Sequence, residues 1–154
     1  MKIFRDVYDE AEVNAFINKS TPQKSNFNIL SFERKCGWVY IKVQANNKEF
    51  SINYSSYMTD EKELAKFLKE TFEQNNEALI FLDYEGSDPL IYLCPKENNE
   101  IRFLFAHDYE LFLDDNIDDY SIREYKIECD VVLDKKMLSK EFLKMITNLD
   151  FGKD

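Results

Sequence analysis

Glycine is scarce in this chain. Gly37, Gly86 and Gly152 are the only three in 154 residues. A loop that cradles phosphate needs several, because the backbone must come close to the anion and adopt positive φ. Neither GxGxxG nor a Walker-type GxxxxGK[ST] occurs. Histidine is scarcer still. His107 stands alone, which excludes a multi-histidine metal site, and HExxH and GxSxG are absent as well. The three cysteines, Cys36, Cys94 and Cys129, are odd in number and widely spaced, with no CxxC. A disulfide framework or zinc ribbon is not expected; reduced, partly buried thiols are. Apolar runs stay short. Ala78-Leu79-Ile80-Phe81-Leu82 falls far below the ~20 residues that span a bilayer. The start, Met1-Lys2-Ile3-Phe4-Arg5-Asp6, has no apolar signal region or small-residue cleavage site, so the expected location is the cytoplasm.

Acid is abundant. Thirty Asp and Glu face 20 Lys and Arg, a formal net charge of −10, with a pI near 4.7. Such a surface repels nucleic acid and anionic lipid and attracts basic partners. A hydrophobic share of 44%, with 13 Phe and 9 Tyr, is enough for a packed core and excludes a disordered acidic tail. The length suits one domain over residues 1–154.

Periodicity supplies the elements. Asp9-Glu10-Ala11-Glu12 reads as a capping box, with Tyr8 and Val13 as a staple, before a short helix carrying Val13, Phe16 and Ile17 on one face. That helix ends before Ser20-Thr21-Pro22. The period then becomes two. Phe27 and Ile29 alternate with asparagines, and Val39, Ile41 and Val43 share a strand face. Asn46-Asn47 marks a tight turn, and Phe50, Ile52 and Tyr54 alternate on the return strand. Asp60-Glu61-Lys62-Glu63 is a second capping box, and Leu64, Phe67, Leu68 and Phe72 predict a helix over 60–74. Strands follow at 78–83, 89–94 and 101–106, separated by turn residues. Residues 107–120 break the pattern. The alternation over 122–133 sets Tyr125, Ile127, Cys129, Val131 and Leu133 against Glu124, Lys126, Glu128 and Asp130. It predicts a strand wet on one side, in a sheet covered on one face. Asp134 caps a last helix with Leu138, Phe142, Met145, Ile146 and Leu149 in one stripe. The fold class is α+β: a mostly antiparallel sheet of about six strands with two to three helices packed on it.

Candidate sites are few. His107 sits beside Asp108, but a catalytic pair needs a nucleophile or further ligands that no spacing supplies, and a structural or surface role is expected. Asp83-Tyr84-Glu85-Gly86 places two carboxylates at a strand end, where turn formation is the expected role, ahead of partner contact or acid–base chemistry. Trp38 and Tyr40 serve as core or as contact surface, and core is expected. The strongest interaction candidate is the run from Asp108 to Tyr120. There six carboxylates flank aromatic and aliphatic residues, giving steering charges at a rim and an apolar anchor at its centre. Glu110, Phe112, Asp114, Asp115, Asp118, Asp119 and Tyr120 are its partner-binding candidates. The run lacks the central glycine of an EF-hand, so calcium is not expected. No catalytic residue, cofactor or metal site is assigned.

The order of elements carries a resemblance. It runs from the Gly37-Trp38 strand and hairpin, through the Ser55-Ser56 turn, to the helix with Asp60 and Leu64. Asp83-Tyr84-Glu85-Gly86, the Ile101-Arg102-Phe103 strand, an acidic-faced strand and the Leu138/Phe142 helix follow. Over roughly 27–149 this resembles small acidic bacterial immunity proteins of polymorphic and contact-dependent toxin systems. The resemblance implies a cytoplasmic antitoxin that occludes a cognate toxin without chemistry of its own, and it assigns no binding residue. The expected function is therefore that of a non-catalytic acidic binding protein, an immunity protein whose partner is a basic toxin domain such as a nuclease. No direct nucleic-acid or membrane contact is expected. The alternatives are a nucleic-acid mimic, which the lysines Lys62, Lys66 and Lys69 argue against, a general adaptor, and a small enzyme using Asp83, Glu85 and His107.

Overall fold

Two tight turns organise the first half of the chain. Asn46 and Asn47 have φ of 54° and 59°, and Cys36 and Gly37 have φ of 51° and 82°. Paired positive φ values match the right-handed twist of the flanking strands, which is why Asn and Gly occupy such turns. They join β3 (Phe27–Lys35), β4 (Trp38–Ala45) and β5 (Lys48–Ser55) into a three-stranded antiparallel sheet. In the computed structural model the backbone is described for residues 1–5, 10–83, 89–112 and 121–151, and side chains for 1–5, 13–83, 89–107 and 125–145. The Asp9 cap, the Tyr8 staple contact, and Ile146 and Leu149 of the last stripe lie outside the described side chains.

A second sheet of six strands has the order β1-β6-β7-β8-β9-β2. Its members are β1 (Lys2–Phe4), β2 (Gln23–Lys24), β6 (Ala78–Phe81), β7 (Leu90–Pro95), β8 (Glu100–Phe112) and β9 (Ser121–Asp134). The inner four are antiparallel, while the short edge strands β1 and β2 pair parallel with β6 and β9. Three helices complete the described elements: α1 (Glu10–Lys19), α2 (Glu61–Gln74) and α3 (Lys135–Phe151). The architecture is α+β. Asp60 caps α2 by accepting from the Glu63 N–H at 3.2 Å, and Asn75 closes it in the left-handed region. Asp134 caps α3 by accepting from the Met137 N–H at 2.9 Å.

One core lies between the two sheets and under α2 and α3. Phe27 meets Phe103 edge-on at 4.9 Å, Phe50 stacks on Phe105 at 5.5 Å, and Phe142 of α3 joins Phe27 and Phe103. Each fully buried ring contributes about 1.5–3 kcal/mol by leaving water. The expectation of a sheet covered on one side is overturned. Val13 and Ile17 of α1 cover the opposite face, over Leu79, Phe81, Leu90, Tyr92, Leu104 and Ala106. The physical reason is the unbroken apolar run of the central strands: β6 is buried at all four positions, which requires cover on both faces.

The expected single apolar face of β9 is also corrected. Phe105 pairs with Cys129, but Ala106 pairs with Ile127, so Glu128 is an extra residue in the ladder. This β-bulge switches the alternation. Cys129, Val131 and Leu133 point into the core between the sheets, whereas Tyr125 and Ile127 pack on the α1 side. Asp130, expected in water, is almost fully enclosed and ion-paired with Arg102.

Candidate functional site

The β8–β9 ladder outruns the rest of its sheet. β7 stops pairing with β8 at Ala106, yet β8 continues against β9 for six more pairs, from His107↔Lys126 to Phe112↔Ser121. At about 3.3 Å per residue this is an arm about 20 Å long. Among the described residues no third strand flanks it. The expectation that residues 107–120 break the strand pattern is therefore corrected for 107–112. Tyr109 and Leu111 fall at alternate positions, Leu111 opposite Ile122 and Glu110 opposite Arg123. Cross-strand pairing of this kind overrides an acidic composition.

The arm carries two of the partner-binding candidates on its backbone, Glu110 and Phe112, whose side chains lie outside the described residues. Asp114, Asp115, Asp118, Asp119 and Tyr120 fall in 113–120, also outside them. In sequence the acidic run thus falls between the two strand ends that pair farthest from β7.

The other sequence candidates are dispersed. His107 is half-buried, its ring edge-on to Phe105 at 4.6 Å. Asp83 is buried and ion-paired to Arg5 at 2.9 Å, and its carbonyl accepts from the Ser55 N–H at 2.6 Å. The strand read over 78–83 ends its ladder at Phe81. Tyr84, Glu85 and Gly86 are outside the described residues. Among the described residues no three His, Cys, Asp or Glu side chains gather as a metal site, and no helix is long and apolar enough to cross a membrane.

The expectation that Trp38 and Tyr40 are core is overturned. Val39, Ile41 and Val43 take the buried positions of β4, so alternation turns Tyr40 outward to 36% exposure and leaves Trp38 half-buried on the same face. Sequence reasoning passed over their neighbours Tyr57 and Met58, which are 76% and 61% exposed. The available signal was two large side chains inside a turn, after Ser55-Ser56.

Basic charge collects elsewhere. Lys135, Lys136 and Lys140, with Phe72 and Leu143, line an open groove of about 470 Å3 between α2 and α3. Lys135 follows Asp134, at the end of β9 opposite the arm. Lys62, Lys66 and Lys69 are all exposed on α2. No protein-family model, curated protein or solved structure matches the chain.

Proposed function

We propose that this chain is a non-catalytic acidic binding protein of the immunity type, which neutralises a cognate bacterial toxin by stoichiometric occlusion. The observation that carries the reading is the six-pair extension of the β8–β9 ladder, whose two strands flank the carboxylate-rich run in sequence, in a chain of net charge −10. A two-stranded arm presents such a run to a concave, basic surface, and its charges steer the encounter. A nucleic-acid mimic fits less well. It needs carboxylates at phosphate-like spacing over a whole face, and the exposed lysines of α2 and the α2–α3 groove interrupt that pattern.

The test is co-purification of the tagged chain with the product of the neighbouring upstream reading frame, at low and moderate salt. The expected result is a 1:1 complex that protects cells from that product. Reversing Asp114, Asp115, Asp118 and Asp119 together is expected to slow association at least about tenfold and flatten its salt dependence. Absence of both complex and protection defeats the reading. An unchanged on-rate in the reversal variant removes the arm from it.

A further inference from the structure

We propose that the outward face of the β3–β4–β5 sheet, with Tyr57 and Met58 at its rim, is the surface through which two copies of this chain form a two-fold dimer. This proposal is independent of the immunity reading and uses a different surface.

Strand alternation defines the face. Val39, Ile41, Val43, Ile52 and Tyr54 point into the core. Trp38, Tyr40 and Lys42 therefore point away from it, with Glu33 and Asn53 beside Tyr40 in register. Among the described residues no helix or strand covers this side. Among the described residues six large hydrophobic side chains are exposed, and four of them, Leu30, Tyr40, Tyr57 and Met58, lie on this sheet or in the turn leaving it. That concentration separates a contact surface from the scattered apolar exposure of any monomer. Tyr, Trp and Met are also the residue types enriched where proteins meet.

Tyr57 is exposed but held in place. Its ring lies over Gly37, where an added Cβ would come within 1.8 Å of the ring. The turn beneath it is tied by Ser56, whose N–H and hydroxyl both donate to the Gly37 carbonyl, at 2.8 and 2.9 Å. The Met58 N–H donates to the Ser55 hydroxyl at 3.3 Å, and the Thr59 N–H to the Ser55 carbonyl at 3.1 Å. An anchor fixed before contact loses little freedom on binding.

Charge selects the occupant. The chain carries −10 in total, so most ways of bringing two copies together set acid against acid. On this face Glu33 and Glu49 are balanced by Lys35 and Lys42, and Lys42 already pairs with Glu49 at 3.2 Å. The face is neutral, offering no steering to a strongly basic partner and no barrier to a second copy. A two-fold contact uses the same patch on both subunits, so each acid can face the other copy's lysine. Three strands of this length present about 25 Å by about 15 Å. That is roughly 375 Å2 a side, below the standard size of a stable interface, and matches only a weak, reversible dimer.

Sedimentation velocity of the full chain from about 1 µM to about 1 mM, at low and high salt, tests the proposal. The expected result is a doubling of mass with concentration that persists at high salt. Tyr57→Ser with Met58→Ser, and separately Tyr40→Glu, are expected to raise the dissociation constant at least about tenfold. Both sites are exposed, and unchanged circular dichroism and melting temperature check the fold. Tyr40→Glu carries the test alone if the double variant misfolds. Leu143→Ser, exposed on α3, is expected to dimerise like the wild type. A wild type that stays monomeric throughout, association abolished by salt, or variants that dimerise undiminished would each overturn the proposal.

Discussion

Arg102 of β8 and Asp130 of β9 form an enclosed two-point ion pair, Nε to Oδ1 at 2.9 Å and Nη2 to Oδ2 at 2.8 Å. The same guanidinium donates to the carbonyls of Ile17 and Ser20, at 3.0 and 3.3 Å, and the Ser20 hydroxyl donates to Asp130. The pair therefore fastens the end of α1 to the sheet and satisfies carbonyls that the helix leaves over. Hydrogen bonding to Asp130 raises the Arg102 pKa against the opposing effect of burial. Arg102→Met is expected to cost about 3–5 kcal/mol in urea denaturation, because it strands a buried carboxylate. Arg102→Met with Asp130→Leu is expected to recover most of that loss. A double variant no more stable than the single would show that the pair's value lies in the α1 contacts.

Tyr54 makes a contrasting case. Its ring is fully buried in the core, and its hydroxyl has no hydrogen-bond partner among the described residues. Burial, then the nearby Glu61, pushes its pKa well above the ordinary value, with Arg34 opposing. Tyr54→Phe removes an unsatisfied group while keeping the ring, so stability is expected to be unchanged or to rise by up to about 1 kcal/mol. A loss larger than that in chemical denaturation would mean that the hydroxyl is bonded in solution.

Glu141 of α3 accepts from the Ile29 N–H on β3 at 3.0 Å and from the Lys144 ammonium at 3.0 Å. Burial alone would raise its pKa. The Ile29 N–H and Lys144 outweigh burial and hold it below the ordinary 4.5. A carboxylate lowered on folding stabilises the native state above its unfolded pKa, and that contribution is lost as pH falls through the folded value. The wild-type melting temperature is therefore expected to fall more steeply than that of Glu141→Gln between about pH 6 and about pH 3. Parallel curves would remove Glu141 from the acid response.

The three thiols differ in access. Cys36 is exposed in the β3–β4 turn, Cys94 is half-buried, and Cys129 is buried. Burial, then Asp130, pushes the Cys129 thiol up to about 12. With an aromatic disulfide reagent at neutral pH, Cys36 is expected to react first. Cys129 is expected to react at least about a hundredfold more slowly, or only in denaturant. Retention of the fast phase in Cys36→Ser would overturn the order.

Local signals carried most of the elements. Asp60, Asn75 and Asp134 cap helices through their own backbone neighbours, and Asn46-Asn47 sets its turn alone, so a single sequence reads them. What escaped depends on distant partners. The strands Lys2–Phe4 and Gln23–Lys24 exist only because β6 and β9 offer open edges. Cover of the large sheet by α1 is equally non-local, although the unbroken run Ala78-Leu79-Ile80-Phe81 hinted at it. The candidate site was half readable. Acidic composition marked the 108–120 run, but the strand that carries its first residues is fixed by pairing with β9. Tyr57 and Met58 became visible only with the turn that displays them.

Glu128 gives β9 two reading frames. From Asp134 back to Cys129 the strand is spelled for one hydrophobic layer, and from Ile127 onward for the other. Were Glu128 instead paired in strict alternation, Tyr125 and Ile127 would turn to the face of Cys129, Val131 and Leu133, whereas excising it would leave a regular ladder with Ile127 and Cys129 on their present partners and faces. The facing of Tyr125 and Ile127, where β9 enters the sheet from the arm, is thus set by a single punctuation mark, placed seven residues inside that strand.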